Sequence, residues 1–127
     1  MGEDLMNKNV NVWGREISLK IIFDVYNGEN ILDSQKEALD SFLKAADGVL
    51  ASCEELKKYC LKRDGEHIGN SIENIFKYVI PESLYVRRIR QERDIVLLCR
   101  YQFDEEHGIA MFFENEALKH IGSQDEI

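Results

Sequence analysis

Apolar residues first recur along the chain with a period of two. Ile17, Leu19, Ile21, Phe23 and Val25 alternate with Glu16, Ser18, Lys20, Ile22, Asp24 and Tyr26, the pattern of a strand with one buried face. Upstream, Val10 and Val12 alternate with Asn9, Asn11 and Trp13, and Gly14-Arg15 offers a tight connection. The pattern predicts a β-hairpin of 9–13 with 16–26, followed by a turn at Asn27-Gly28.

The period then lengthens to 3.6. Ser34-Gln35-Lys36-Glu37 reads as a capping box, and Leu39, Phe42, Leu43 and Ala46 fall on one stripe, so a helix is expected over about 34–46. Val49, Cys53, Leu56 and Cys60 mark a second helical stripe over about 49–63. Its glutamates, Glu54 and Glu55, come early, and Lys57, Lys58, Lys62 and Arg63 come late, the order that the helix dipole favours. Asp47-Gly48 either separates the two helices or lies within one long helix, since the stripes are nearly in phase. Asp64-Gly65 is the expected stop in both cases.

A third, short helix is expected around Ile72, Ile75, Phe76 and Val79, ended by Pro81. Strand patterns follow at 84–89, 94–103, 109–113 and 118–121, a meander. Ile95, Leu97, Cys99, Tyr101 and Phe103 share one face of the second of these. Val96 and Leu98 make its other face apolar too, which places it centrally in a sheet. The expected architecture is one α+β domain over residues 1–127, in two layers: an N-terminal β-hairpin, two or three central helices and a C-terminal antiparallel β-meander.

Composition narrows the class. A chain of 127 residues, 44% hydrophobic and with a single proline, can bury one continuous core without staples. Cys53, Cys60 and Cys99 form no C-x-x-C pair, and the first two lie about 10 Å apart along a helix, too far to bridge. Reduced thiols in a cytoplasmic protein are expected. Glu3 and Asp4 stand where a secretory leader would carry bases, and no apolar run reaches membrane-spanning length. The net charge of −8 repels phosphate backbones and favours a basic protein over nucleic acid as partner. Arg87, Arg88, Arg90 and Arg93 form a local basic run, which pairing with acids such as Glu92 and Asp94, or with cross-strand carboxylates, explains without RNA.

Candidate chemistry concentrates at Asp104-Glu105-Glu106-His107, with Asp125 and Glu126 in reach from the tail. These groups could hold a divalent cation, and a small metal- or ligand-dependent enzyme would use Asp104, Glu106 and His107. Gly108 and the flanking apolar strands fit a solvated hairpin turn instead, and no metal-ligand spacing is present. The segment 24–29 lacks the oxygen ligands of a calcium loop, since Tyr26 and Gly28 hold ligand positions. His67, His107 and His120 are scattered without a triad pattern. No catalytic residue, metal site or cofactor is assigned, and a non-enzymatic protein is expected.

The segment 101–115, with its acidic turn before Gly108-Ile109, and the closing Gly122-Ser123-Gln124-Asp125 resemble a family of small bacterial proteins. So do Trp13-Gly14, Phe23-Asp24-x-Tyr26-x-Gly28-Glu29 and Gln35-x-x-Ala38-Leu39-x-x-Phe42. One departure is Asn115-Glu116, where that family tends to have Asn-Gly. Its members look like immunity proteins of polymorphic-toxin and contact-dependent inhibition systems. The resemblance implies a cytoplasmic inhibitor that covers a functional surface of a cognate toxin domain and carries no catalytic residue, and the apolar stripes of the expected strands and helices predict a monomer when free. Steering onto a basic toxin would use Asp104, Glu105, Glu106, Glu114, Glu116, Asp125 and Glu126.

Overall fold

Strand β1 (Leu5–Val12) pairs antiparallel with β2 (Arg15–Phe23) across a two-residue turn, Trp13-Gly14. Both turn residues have positive φ, 52° and 87°, the sign pattern of a type I′ turn, whose twist matches that of the strands. A tryptophan rarely adopts this backbone. Here its side chain over-determines it: Trp13 is buried, its indole N–H donates to Ser52 Oγ at 3.1 Å, and its ring lies 5.6 Å from that of Phe76. Trp13 is therefore in the turn rather than in the strand, and β2 ends at Phe23 rather than at 26. The Asn27-Gly28 turn lies outside the residues that the structure, a computed structural model, describes: 5–25, 29–88 and 93–127.

From β2 the chain crosses one face of the sheet as two helices, α1 (Asp33–Lys44) and α2 (Ala46–Ile68). The break falls at Ala45, whose φ of −95° and ψ of 54° are not helical, rather than at Asp47-Gly48. At the start of α1 the expected Ser34–Glu37 box is replaced by Gln35. Its carboxamide oxygen accepts from Leu32 N–H at 2.9 Å, and its NH₂ donates to the carbonyls of Asp24 (2.8 Å) and Val86 (3.2 Å). A buried Gln35 thus ties the helix to the ends of two strands. Helix α2 runs through Asp64-Gly65, kinking at Asp64 (φ −130°), and stops at Gly69, whose φ of 112° suits glycine.

The third helix is reduced to a 3₁₀ turn, Ile75–Lys77, and the next strand, β3 (Val79–Val86), starts before Pro81. Proline is tolerated there because the register with the following strand shifts between Pro81 and Ser83, a bulge where no ladder donor is needed. Strands β4 (Asp94–Tyr101), β5 (Ile109–Glu114) and β6 (Ala117–Gly122) complete a six-stranded sheet in chain order. The C-terminal meander is antiparallel as expected, but the sheet as a whole is mixed. β3 lies parallel to β2, with Ile21 opposite Leu84 and Phe23 opposite Val86, because a helical crossover returns the chain to the same end of the sheet.

Leu19, Ile21, Leu84, Leu97, Met111 and Phe113 face Leu39, Phe42, Leu56 and Cys60 of the helices in one core. Phe42 meets Phe113 edge-on with ring centroids 5.1 Å apart. On the opposite face, Ile22, Tyr85, Val96 and Phe112 stand in register across four strands, with Val96 and Ala110 fully buried among them. β4 is thus central and apolar on both faces. Helix α2 touches both outer strands, β1 and β6.

Candidate functional site

The acidic turn 102–108 joins β4 to β5 beside the C-terminal part of α2. Asp104 organises it. Its carboxylate accepts from Arg63 Nη2 at 2.6 Å and from the backbone N–H and Nδ1 of His107, each at 3.1 Å. Arg63 chiefly, and His107 with it, hold the Asp104 carboxyl below its ordinary pKa. The same contact raises His107 above its ordinary value. Gly108, at φ 59°, closes the turn by donating its N–H to Asp104 O at 2.8 Å.

Behind the turn lies a less accessible network. Tyr101 is fully buried, and its hydroxyl donates to Asp64 Oδ2 at 2.5 Å, at the point where α2 departs from helical geometry. Burial, and then Asp64, push the Tyr101 hydroxyl far above its ordinary pKa. Cys60 sits against the same hydroxyl, and burial pushes its thiol up to about 11. Burial raises Cys99 as well. Thiols so shifted are poor nucleophiles at neutral pH, and all three cysteines are unpaired.

The C-terminal segment fastens the turn from the other side. Gln124 donates through its backbone N–H to His107 O (2.9 Å) and through Nε2 to Cys99 O (3.0 Å). A Cβ on Gly108 would stand 2.5 Å from Cys99 O and 2.6 Å from Gln124 Nε2. Glu126 accepts from Ser123 N–H and pairs with His120 Nε2, both at 2.8 Å, and His120 chiefly lowers its pKa. A Cβ on Gly122 would collide with the Glu126 carboxylate. The Gly-x-Gln-Asp ending is therefore a clasp.

The seven acids singled out in the sequence fall into two groups. Asp104, Glu105, Glu106, Asp125 and Glu126 gather at the 102–108 end. Glu114 and Glu116 lie at the opposite end of β5, whose six residues span about 20 Å. Glu116 is held by Arg93, with contacts of 2.5 and 3.0 Å, and Glu114 stands opposite Asp94, which itself meets Arg87 at 3.8 Å. Glu105 meets Arg100 at 3.4 Å, whereas Glu106 and Asp125 are exposed and form no ion pair to a cation among the described residues. Arg88 meets Glu29 at 2.5 Å, so the arginine run is paired with carboxylates where it is described; Arg90 and Glu92 lie outside the described residues.

As chemistry, this arrangement leaves Asp104 and His107 each other's partners, with Arg63 filling the remaining lobe of the carboxylate. Among the described residues no group of three or more His, Cys, Asp or Glu side chains could hold a metal ion. Arg63, Asp64 and Tyr101 complete the site from positions 37 and 41 residues apart along the chain. Sequence spacing gave no sign of them. Among the described residues no helix is long and apolar enough to cross a membrane.

No curated protein and no solved structure is significantly similar to the chain. One family matches it over residues 3–127, described as a domain of unknown function, DUF6985. The chain belongs to that family.

Proposed function

We propose that this protein is a cytoplasmic immunity protein that binds a cognate basic toxin domain and occludes its functional surface. The resemblance set out above supports this reading, and one observation carries its mechanism. The 102–108 turn is fixed on one side by Arg63 and on the other by Gln124, so Glu105, Glu106 and Asp125 project from a frame that is ordered before any partner arrives. A preorganised acidic projection speeds encounter with a basic surface and adds little ordering cost on docking. Asp104 and Glu126 act as frame, and Glu114 and Glu116 belong to the far end.

The test is co-expression with the toxin domain encoded next to this gene, together with stopped-flow association of the purified pair. Wild-type protein should restore growth. The variant Glu105→Lys/Glu106→Lys/Asp125→Lys should associate roughly 10- to 100-fold more slowly at low salt, with the gap closing as salt rises. Failure of the wild-type protein both to restore growth and to form a complex refutes the reading.

A further inference from the structure

A groove of about 700 Å³ runs between β6 and α2 at the outer edge of the sheet. One wall is the consecutive run 116–121. Alternate residues of a strand point to opposite faces, so a wall made of consecutive residues is the strand's edge. β6 is the last strand of the sheet, and its only backbone ladder is with β5; its outward N–H and C=O groups meet no other backbone partner among the described residues. The other wall is a single stripe of α2, from Ala51 through Glu55, Lys58 and Tyr59 to Lys62. Such an edge is a template for strand addition unless something covers it; β6 bulges at Lys119, since Phe112 pairs with His120 and Phe113 with Leu118, so an added strand would have to follow that bend.

The charge of the groove runs against that of the molecule. Lys58, Lys62 and Lys119 line it with Glu55 and Glu116. Glu116 is already held by Arg93, and Lys58 answers Glu55 at 3.5 Å. Lys62 and Lys119 are exposed and form no ion pair among the described residues. In a chain of net charge −8, this leaves a basic groove with Leu118 and Ile121 half-buried along it.

We propose that this groove accepts an extended acidic segment of a partner protein, which adds to β6 as a seventh strand beneath α2. Main-chain hydrogen bonds to the β6 edge would supply affinity, and Lys62 and Lys119 would select carboxylates. A second copy of the chain is a poorer occupant, because antiparallel self-pairing centred on β6 sets Lys119 of each copy opposite His120 of the other, and the strand, Ala-Leu-Lys-His-Ile-Gly, brings no carboxylate to answer the lysines. The surface is separate from the acidic turn, and the proposal does not depend on the toxin reading.

The probe is a capped seven-residue peptide alternating Glu with Val. It is compared with its Lys-for-Glu counterpart and with a Glu peptide N-methylated at alternate residues, which cannot form a ladder. Binding is followed by amide NMR shifts and hydrogen exchange of the full chain. The Glu peptide should protect amides within 117–121 and bind at least about 10-fold tighter than the Lys peptide, equivalent to about 1.4 kcal/mol. The N-methylated peptide should not bind, and Lys62→Glu/Lys119→Glu should reverse the charge preference. Equal binding of the two charged peptides, retained binding of the N-methylated one, or no binding at all would overturn the proposal. So would concentration-dependent dimerisation of the free protein that protects 117–121, which would make the occupant a second copy.

Discussion

The two ends of β5 both carry clustered acids, yet they hold their turns by different means. At the 102–108 end, Asp104 is backed by Arg63, and behind it Tyr101 and Asp64 form a bond that is mostly withdrawn from solvent. At the 115–116 end, a two-residue turn places Asn115 (φ 51°) and Glu116 (φ 67°) both in the left-handed region. There the fastening is on the surface: Asn115 exchanges bonds with the Arg93 backbone at 2.8 and 3.2 Å, and Arg93 grips the Glu116 carboxylate through two nitrogens. Asn-Gly would fit this turn without strain. One end is therefore locked by packing and burial, and the other by an ion pair that offsets backbone strain. The first carries Glu106 and Asp125, which are exposed and form no ion pair among the described residues, whereas Glu114 and Glu116 at the second are half-buried.

The largest expected break of this contrast is Gly108→Ala. The new Cβ would press on the Cys99 carbonyl, which is backbone and cannot swing aside, at a residue that already has positive φ. Overpacking and left-handed strain together should cost about 2–4 kcal/mol, read as a fall in the urea midpoint. A change under about 0.5 kcal/mol would show that the turn is looser than its contacts imply. Next comes Tyr101→Phe, which leaves Asp64 without its hydroxyl donor inside the helix. A bond to a charged group is worth about 1.5–3 kcal/mol when shielded, and the partial exposure of Asp64 (18%) reduces this to about 1–2 kcal/mol. Unchanged stability would mean that the kink at Asp64 is set by the helix alone.

These two positions also show what the sequence discloses and what it hides. The alternation from Ile17 to Phe23 is legible because one face of β2 is buried and the other is not. The whole of α2 is not legible: Asp64-Gly65 has the chemistry of a stop, and only Tyr101, 37 residues away, shows that Asp64 is engaged elsewhere. Pro81 likewise reads as a terminator until the bulge beside it is seen. The parallel pairing of β2 with β3 depends on where a helical crossover sets the chain down, which no local period records. At the acidic end, Asp104 and His107 could be recognised as a turn from Gly108 and the flanking strands. Arg63 could not, because nothing in its own helix distinguishes it from Lys62.

A substitution at the other end gives the opposite sign. Glu116→Gly removes a left-handed side-chain residue, a relief of about 1–2 kcal/mol, and loses a surface ion pair worth about 0.2–1 kcal/mol. The net should be stabilisation by about 0.5–1 kcal/mol, and thermal unfolding should show it. Because salt screens the lost pair but not the backbone strain, the advantage should shrink at low ionic strength and grow at high. A variant that is destabilised at every salt concentration would mean that Arg93 holds more than this turn.

The smallest effect is the most specific to the acidic end. His107 has its pKa raised by Asp104, so its share of the fastening is complete below the unfolded-state value and is lost as pH rises through the folded-state one. Asp104 is shifted downwards, chiefly by Arg63, so its share is present above the unfolded carboxyl value and is lost as pH falls through the folded one. The turn is therefore fastened on both sides between the carboxylate and imidazole ranges. On the alkaline side Asp104 keeps Arg63 and the His107 backbone N–H, and loses only the charge of the imidazole. Asp104→Asn should lower the His107 titration midpoint followed by proton NMR, while the same substitution should also free Arg63. A midpoint that does not move would assign the His107 shift to Glu106 and Asp125 instead, the other carboxylates that raise it. In that case the acids would act on His107 as a diffuse field, and the ordered frame required for steering would rest on Arg63 and Gln124 without the imidazole.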